Sequence, residues 1–114
     1  MWNREQPHDV REALFGGRER VRVWDLAPGP ASPFAAVLAC ELEPGGAVGT
    51  HLQEHFPEIV IGVEGHGSVL VNGVRSALES GSVAELPLGH TLSITNESRD
   101  TPLRYLIVKA KSAG

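Results

Sequence analysis

Short runs rich in aliphatic and β-branched residues, separated by turn-forming residues about every eight to twelve positions, most constrain how this chain folds. They begin near residue 20 and continue to the C-terminus. Between two of them stands Asn72-Gly73, and both residues tolerate the positive φ angles of a type I′ hairpin turn. The best helical candidate is the segment HDVREALFGG at residues 8–17, which would make only two short turns. The pattern therefore predicts an all-β sandwich or barrel.

The composition excludes several functional classes. The 114 residues suffice for one domain, and 41% hydrophobic with 21% charged residues is ordinary for a globular protein. The net charge is −4 with histidines neutral, and the basic residues form no stripe, so no nucleic-acid partner is expected. The apolar runs fall short of the roughly 20 residues of a membrane span. The polar N-terminus lacks the apolar core of a signal peptide, so we expect a cytoplasmic protein without membrane partners.

The single cysteine lies in a run with period-2 alternation. Cys40 shares one face with Leu38 and Leu42, which predicts a buried thiol. Because it is the only cysteine of the chain, no internal disulfide can form. Glu41 and Glu43 alternate with this apolar set. We therefore place both carboxylates on an outer surface.

Residues 49–65, GTHLQEHFPEIVIGVEG, concentrate the polar chemistry. Read as strand, turn and strand, they place His51 and Gln53 on one side, because side chains alternate along a strand. The HFP turn then returns Glu58 to the same face. An imidazole, an amide oxygen and a carboxylate in one place are a plausible site for a divalent transition metal.

The spacing around these residues resembles the first motif of the cupin superfamily, G-x5-H-x-H-x3–4-E-x6-G. This chain reads Gly45, five residues, His51, one residue, Gln53, four residues, Glu58, six residues and Gly65. Gln53 stands where the family has its second histidine.

Fifteen residues later the chain resembles the second cupin motif, G-x5-P-x-G-x2-H-x3-N. Gly81, Pro87, Gly89 and Asn96 take the motif positions, and Leu92 stands where the family has histidine. The resemblance covers roughly residues 35–110.

The resemblance implies a double-stranded β-helix, that is, a jelly-roll cupin barrel of two antiparallel sheets with a pocket at one mouth. Residues 21–114 would form this single barrel domain, after an N-terminal segment, residues 1–20, that is a loop or short helix. In cupins the pocket holds a metal ion on the histidines and glutamate of the motifs.

The candidate metal ligands are accordingly His51, Gln53, Glu58 and His90. Gln53 would ligate through its amide oxygen, and His90 shares a strand face with Leu92. The implied cofactor is a divalent transition metal (Zn, Ni, Mn or Fe), and no organic cofactor is expected. His55 and His66 are expected in exposed turns.

Two functions remain open. The first is a metal-dependent enzyme acting on a small polar molecule, with Glu64, His90 and Tyr105 as candidates for a general base. The alternative is a non-catalytic cupin that binds a small molecule through a degenerate or absent metal site. Leu92 favours the alternative, because it makes one wall of the pocket apolar.

The strand that begins at residue 58 also carries an outward apolar face formed by Ile59, Ile61 and Val63. Such a patch usually has a cover, and a second copy of the chain is the natural one. We therefore expect a homodimer. The alternative cover is the N-terminal segment, with Trp2 or Phe15 as the packing residue.

Overall fold

The computed structural model describes residues 2–27 and 29–111, and nearly all of its regular structure is β. The strands are β1 (Asp9–Glu12), β2 (Arg20–Asp25), β3 (Phe34–Leu42), β4 (Ala47–Leu52), β5 (Glu58–Glu64), β6 (His66–Val71), β7 (Val74–Glu79), β8 (Val83–Leu86), β9 (Thr91–Asn96) and β10 (Leu103–Ala110). A single 3₁₀ turn, Leu14–Gly16, is the only helical element within the described residues. None of the described helices is long and apolar enough to cross a membrane.

Two antiparallel sheets form the jelly roll, which confirms the predicted fold class. The first sheet has the order β1-β2-β3-β10-β5-β8 and the second the order β4-β9-β6-β7. Their inner faces enclose one apolar core, in which Leu42, Val60, Val69, Leu78 and Leu103 are almost completely buried. Alternation along each strand sends every second side chain into this core.

The turn chemistry of the sequence is realised in the backbone. Asn72 (φ 50°) and Gly73 (φ 77°) connect β6 to β7 as the expected hairpin, with Val71 paired to Val74. The motif asparagine is structural: Asn96 Nδ2 lies within 2.9–3.1 Å of three backbone carbonyl oxygens, those of Leu42, Glu43 and Thr101. It thus joins the turn after β3 to the loop before β10.

Gly62 marks a point where the two sheets nearly touch. A Cβ atom at this position would lie 1.9 Å from the backbone oxygen of Glu79 on β7. The glycine therefore accommodates neighbouring backbone and leaves no ligand space at this end of the barrel.

The helical expectation for residues 8–17 is wrong. Residues 9–12 form β1, which pairs with β2 from Asp9↔Val23 to Glu12↔Arg20, and only one 3₁₀ turn follows. Positive φ angles at Ala13 (45°) and Phe15 (53°) are incompatible with a continuous helix. Pairing with the edge of the sheet outweighs the weak local helical pattern.

The N-terminal segment also covers part of the outer face of the six-stranded sheet. The indole of Trp24 on β2 is buried and donates a hydrogen bond to the backbone oxygen of Asn3 at 2.9 Å. The rings of Trp2 and His8 lie 6.4 and 4.7 Å from the Trp24 ring. Trp2 therefore covers β2 rather than the apolar face of β5.

Glu41 lies on the outer face, as its alternation predicts, but it is not solvated: only 1% of it is exposed. Arg4 Nε lies 2.9 Å from Oε2, and Arg104 Nη2 lies 2.8 Å from Oε1. Arg22 Nε is 3.8 Å from Oε2. The expectation of an exposed carboxylate is corrected, because three arginines from distant parts of the chain enclose it.

Candidate functional site

A cavity of about 380 Å³ opens between the two sheets at one mouth of the barrel. Strands β2, β3, β4, β5, β9 and β10 and the 3₁₀ turn contribute its lining. Most of its wall is apolar, and the aliphatic part comes from Leu14, Val21, Val23, Leu38, Val48, Leu52, Leu92, Ile94 and Ile107. This volume and lining are typical of a pocket for a small organic molecule.

Three of the four candidate metal ligands meet at this cavity. His51 and Gln53 come from β4 and the turn after it, and Glu58 opens β5. The fourth, His90, is not among the lining residues; its Nδ1 lies 3.4 Å from the backbone oxygen of Leu88. His90 therefore does not join the other three in the cavity lining, although its backbone oxygen accepts a hydrogen bond from Gln53 N–H.

His51 is held by its own strand and by the N-terminal segment. Its Nδ1 donates a hydrogen bond to the backbone oxygen of Gly49 at 3.1 Å, which leaves Nε2 as an acceptor for a ligand. The Phe15 ring stacks on the imidazole with a centroid distance of 4.0 Å and an interplanar angle of 16°. This stacking requires Gly49, because a Cβ there would lie 1.9 Å from the Phe15 backbone oxygen.

Gln53 is buried and anchored in the turn between β4 and β5. Its Nε2 donates a short hydrogen bond to the backbone oxygen of Phe56. Its backbone N–H donates to His90 O at 3.0 Å, and its carbonyl accepts from Gly89 N–H at 2.9 Å. The side-chain amide oxygen remains as the atom that Gln53 offers to a ligand.

Glu58 is the least satisfied polar group of the cavity. The residue is 5% exposed, and its Oε2 is buried without a hydrogen-bond partner. Burial raises the pKa of this carboxyl above its ordinary value, and the nearby positive charge of Lys109 opposes that rise. A buried carboxylate oxygen without a partner is uncommon in folded proteins and marks Glu58 as a candidate functional group.

Two further ionisable groups lie deeper in the cavity and stay neutral. Burial raises the pKa of the Cys40 thiol to about 12, and that of the Tyr105 hydroxyl rises well above 10, again mainly through burial. Cys40 is buried, as predicted. Tyr105 lines the cavity, but a hydroxyl that resists ionisation makes a poor general base.

The remaining candidates lie at the surface or the rim. Glu64 is exposed and does not line the cavity. His66 is also exposed, with Nδ1 3.6 Å from Glu79 Oε1. His55 lines the cavity from the turn after β4.

The donors present fit a tight divalent metal site poorly. Catalytic sites for such metals commonly use three protein ligands of imidazole, thiolate or carboxylate type. Within residues 2–27 and 29–111, no group of three or more His, Cys, Asp or Glu side chains is arranged to hold a metal ion. His51 and Glu58 would need the neutral amide of Gln53, and Leu92 directly faces His51 across β4 and β9.

Two lining residues were not anticipated from the sequence. Lys109 continues the inward face of β10 after Tyr105 and Ile107, and this alternation is the signal that would have identified it. Phe15 reaches the cavity because the 3₁₀ turn packs on β4. The sequence holds no local signal for that contact.

Comparisons with known proteins place this geometry in context. No protein-family profile matches the chain, and no curated protein matches it. Solved structures do match. A predicted oxalate decarboxylase from Thermotoga maritima is 26% identical over 95% of both chains, with a TM-score of 0.86.

Two further structures extend the likeness. A cupin 2 conserved barrel domain protein from Salinispora arenicola is 26% identical, with a TM-score of 0.69, over 81% of this chain and 76% of that one. A cupin 2 conserved barrel domain protein from Rhodopseudomonas palustris is 19% identical over 100% of this chain and 70% of its own, with a TM-score of 0.72. The two-sheet jelly roll, the pair of motifs and these structural relatives identify the chain as a small domain of the cupin superfamily.

Proposed function

We propose that this cupin binds a small, largely apolar molecule in the cavity at the barrel mouth. The observation that carries the proposal is Glu58, a carboxylate with one unpartnered oxygen, in the lining of a cavity whose walls are mostly apolar. Apolar walls supply affinity through burial, and the few polar groups at one end fix the orientation of the ligand.

Leu92 supports this function over metal chemistry. It lies opposite His51 in the β4–β9 ladder and lines the cavity, so it turns one face of the polar end into an apolar surface. A histidine at the same place would have offered a third strong donor. The substitution therefore favours organic ligands over a coordinated ion.

The test is thermal melting of the protein against a panel of small apolar and amphiphilic compounds. A ligand at 100 times its Kd stabilises the folded state by about 2.7 kcal/mol, which raises the Tm by several degrees. Leu92→Phe, which fills the cavity, should abolish this stabilisation. Leu70→Phe, on a strand that does not line the cavity, is the matched control and should retain it. Ligands that stabilise both variants equally would contradict the cavity as the binding site.

A metal-dependent enzyme acting on a small polar molecule is the second candidate function. The same unpartnered Glu58 oxygen favours it, and the similar protein from Thermotoga maritima is described as a predicted oxalate decarboxylase. His51, Gln53 and Glu58 would hold the ion, which would supply Lewis-acid or redox chemistry to the substrate.

Elemental analysis of protein purified without chelator distinguishes the two candidates. The binding function predicts substoichiometric Zn, Ni, Mn and Fe in the wild type and in His51→Ala. It predicts increased metal content in Leu92→His, which restores a third strong donor. One metal ion per wild-type chain that is lost in His51→Ala would contradict the metal-free binding function and support the metal site of the second candidate.

We also propose that two copies of the chain pair through the uncovered half of the six-stranded sheet. Ile59, Ile61 and Val63 are half-buried there, and Phe34 and Val83 are exposed. Among the described residues, the N-terminal segment packs on the other half of this face, near Trp24. An apolar face of one sheet that meets its own copy gives a self-complementary, two-fold interface.

Ile61→Lys should convert this dimer to a monomer in analytical ultracentrifugation, because it places a charge in the apolar interface. Val74→Lys adds the same charge in the exposed β6–β7 hairpin and serves as the control. A soluble dimer unchanged by Ile61→Lys would show that the two chains associate through a different surface.

A further inference from the structure

Glu58 and Lys109 face each other across the ladder of β5 and β10. Both side chains line the cavity. Residues directly opposite in an antiparallel pair have Cβ atoms about 4.5–5.5 Å apart, and opposite charges at such positions normally attract. The polar end of the cavity thus contains one anionic and one cationic group on neighbouring strands.

This pair nevertheless stays open. No ion pair within 4.0 Å joins Glu58 to Lys109 in the described part of the chain, and the buried Oε2 of Glu58 has no hydrogen-bond partner. The two groups are close enough for the lysine charge to act on the carboxyl. The polar end of the cavity is therefore lined by one acceptor and one donor that are not paired with each other.

The two charges balance, which limits the ligand that fits between them. A ligand with its own ionic group would leave one net charge in a mostly aliphatic chamber, at a considerable cost in free energy. A purely apolar ligand would leave both groups unsatisfied. A neutral hydroxyl donates one hydrogen bond and accepts others, so it satisfies both groups at once.

We propose that the ligand of this cavity is a neutral alcohol whose hydroxyl bridges Glu58 and Lys109 while its apolar body packs on Leu92, Ile94 and Ile107. The hydroxyl donates to the Glu58 carboxylate and accepts from Lys109 Nζ. Two hydrogen bonds of about 2.8 Å through one oxygen span up to roughly 5.5 Å, which is comparable to the spacing of directly opposed residues on paired antiparallel strands. This inference rests on the proposed binding function and specifies its ligand class.

A matched series of probes tests the charge balance: toluene, benzyl alcohol, benzylamine and benzoate, with affinities measured at pH 8 by NMR titration. A hydrogen bond to a charged group contributes about 1.5–3 kcal/mol, equivalent to roughly 10–100-fold in Kd. Benzyl alcohol should therefore bind at least about tenfold more tightly than the other three probes.

Two variants should reverse the preference in opposite directions. Glu58→Gln leaves the positive charge of Lys109, so benzoate should become the preferred probe. Lys109→Met leaves the carboxylate, so benzylamine should become preferred. Lys111→Met is the control, because that ammonium lies 3.1 Å from the backbone oxygen of Pro30, outside the cavity, and should keep the preference for benzyl alcohol. A merely structural role for either residue would weaken all four probes together and would not exchange their order.

The possible failures are distinguishable. If all four probes bind wild type with similar affinity, the cavity binds small molecules but the bridging hydroxyl is refuted. A wild-type preference for benzoate or benzylamine would also refute the bridging hydroxyl. So would Glu58→Gln and Lys109→Met variants that rank the four probes as the wild type does. If none of the probes binds, toluene included, both this inference and the proposed binding function are wrong.

Discussion

Two buried glutamates on opposite faces of the same six-stranded sheet differ sharply in how their charges are met. Glu41, on the outer face of β3, is 1% exposed and bonded to Arg4 and Arg104, with Arg22 close by. Glu58, on the inner face of β5, is 5% exposed, and its Oε2 has no partner. One sheet therefore carries a satisfied and an unsatisfied carboxylate.

The difference distinguishes a buried charge that stabilises the fold from a buried charge that serves a binding site. A buried charge that is enclosed by hydrogen-bonded counter-charges can be retained at little net cost, and it ties distant segments together. A buried charge without a partner lowers stability and is retained where it serves binding or catalysis. Glu41 thus belongs to the architecture, whereas Glu58 belongs to the site.

The largest effect that would separate the two glutamates is expected for Glu41→Gln. Removing the carboxylate eliminates the counter-charge shared by Arg22 and Arg104, and such losses destabilise proteins by about 3 kcal/mol. Urea denaturation should show this decrease in the free energy of unfolding. Glu12→Gln, which removes an exposed pair with Arg20, is the control and should cost less than about 1 kcal/mol. A Glu41→Gln protein as stable as the wild type would refute the structural assignment.

Glu58→Gln should have the opposite sign and increase stability at neutral pH by about 1–3 kcal/mol, because the neutral amide avoids the desolvation cost of a buried carboxylate. Burial raises the folded-state pKa of Glu58 above the ordinary 4.5. Between these two pKa values the folded state binds more protons than the unfolded state. The stability that protonated Glu58 contributes to the wild type is therefore present at low pH. It is lost as the pH rises through the pKa that Glu58 has in the folded state.

Thermal melting of both proteins from pH 4 to pH 8 measures this prediction. The advantage of Glu58→Gln should be smallest at pH 4 and largest at pH 8. An advantage that instead decreases as the pH rises would mean that the carboxylate is stabilised in the folded protein, contrary to the comparison with Glu41.

The smallest effect is expected for Arg4→Gln. The Arg4 side chain is 56% exposed, so its bond to Glu41 should contribute at most about 1 kcal/mol. Hydrogen exchange should nevertheless accelerate locally in residues 2–8, with the barrel strands unaffected. Uniform acceleration across the barrel would show that Arg4 supports the whole fold rather than the attachment of the N-terminal segment.

The all-β class could be predicted because its determinants are local, whereas the jelly-roll arrangement was predicted from the resemblance to the cupin motifs. The glycines, Asn72-Gly73 and the alternating strands specify turns and faces through nearby residues, and the structure follows them. Glu41 shows where such reasoning ends. Its parity correctly gave the outer face, but Arg4 and Arg104 are 37 and 63 residues away in sequence, so their enclosure of the carboxylate depends on the tertiary fold.

The candidate site was predictable in part for the same reason. His51, Gln53 and Glu58 reach the cavity because one turn relates their strands. His90 precedes β9 and follows Gly89, which adopts a positive φ angle, and it is not among the residues that line the cavity. Lys109 faces Glu58 only through the pairing of β5 with β10, which no local pattern specifies.

The N-terminal segment passes around the β1 edge and contacts both faces of the sheet. Trp2 lies on the outer face against Trp24, and Phe15 reaches the cavity mouth. The chain contains only these two tryptophans, so its tryptophan fluorescence reports on the outer face, whereas its one tyrosine, Tyr105, lines the cavity. A ligand that shifts the tryptophan emission would therefore reveal that filling the cavity moves the polypeptide on the far side of the sheet, which provides an optical measure of communication through the barrel wall.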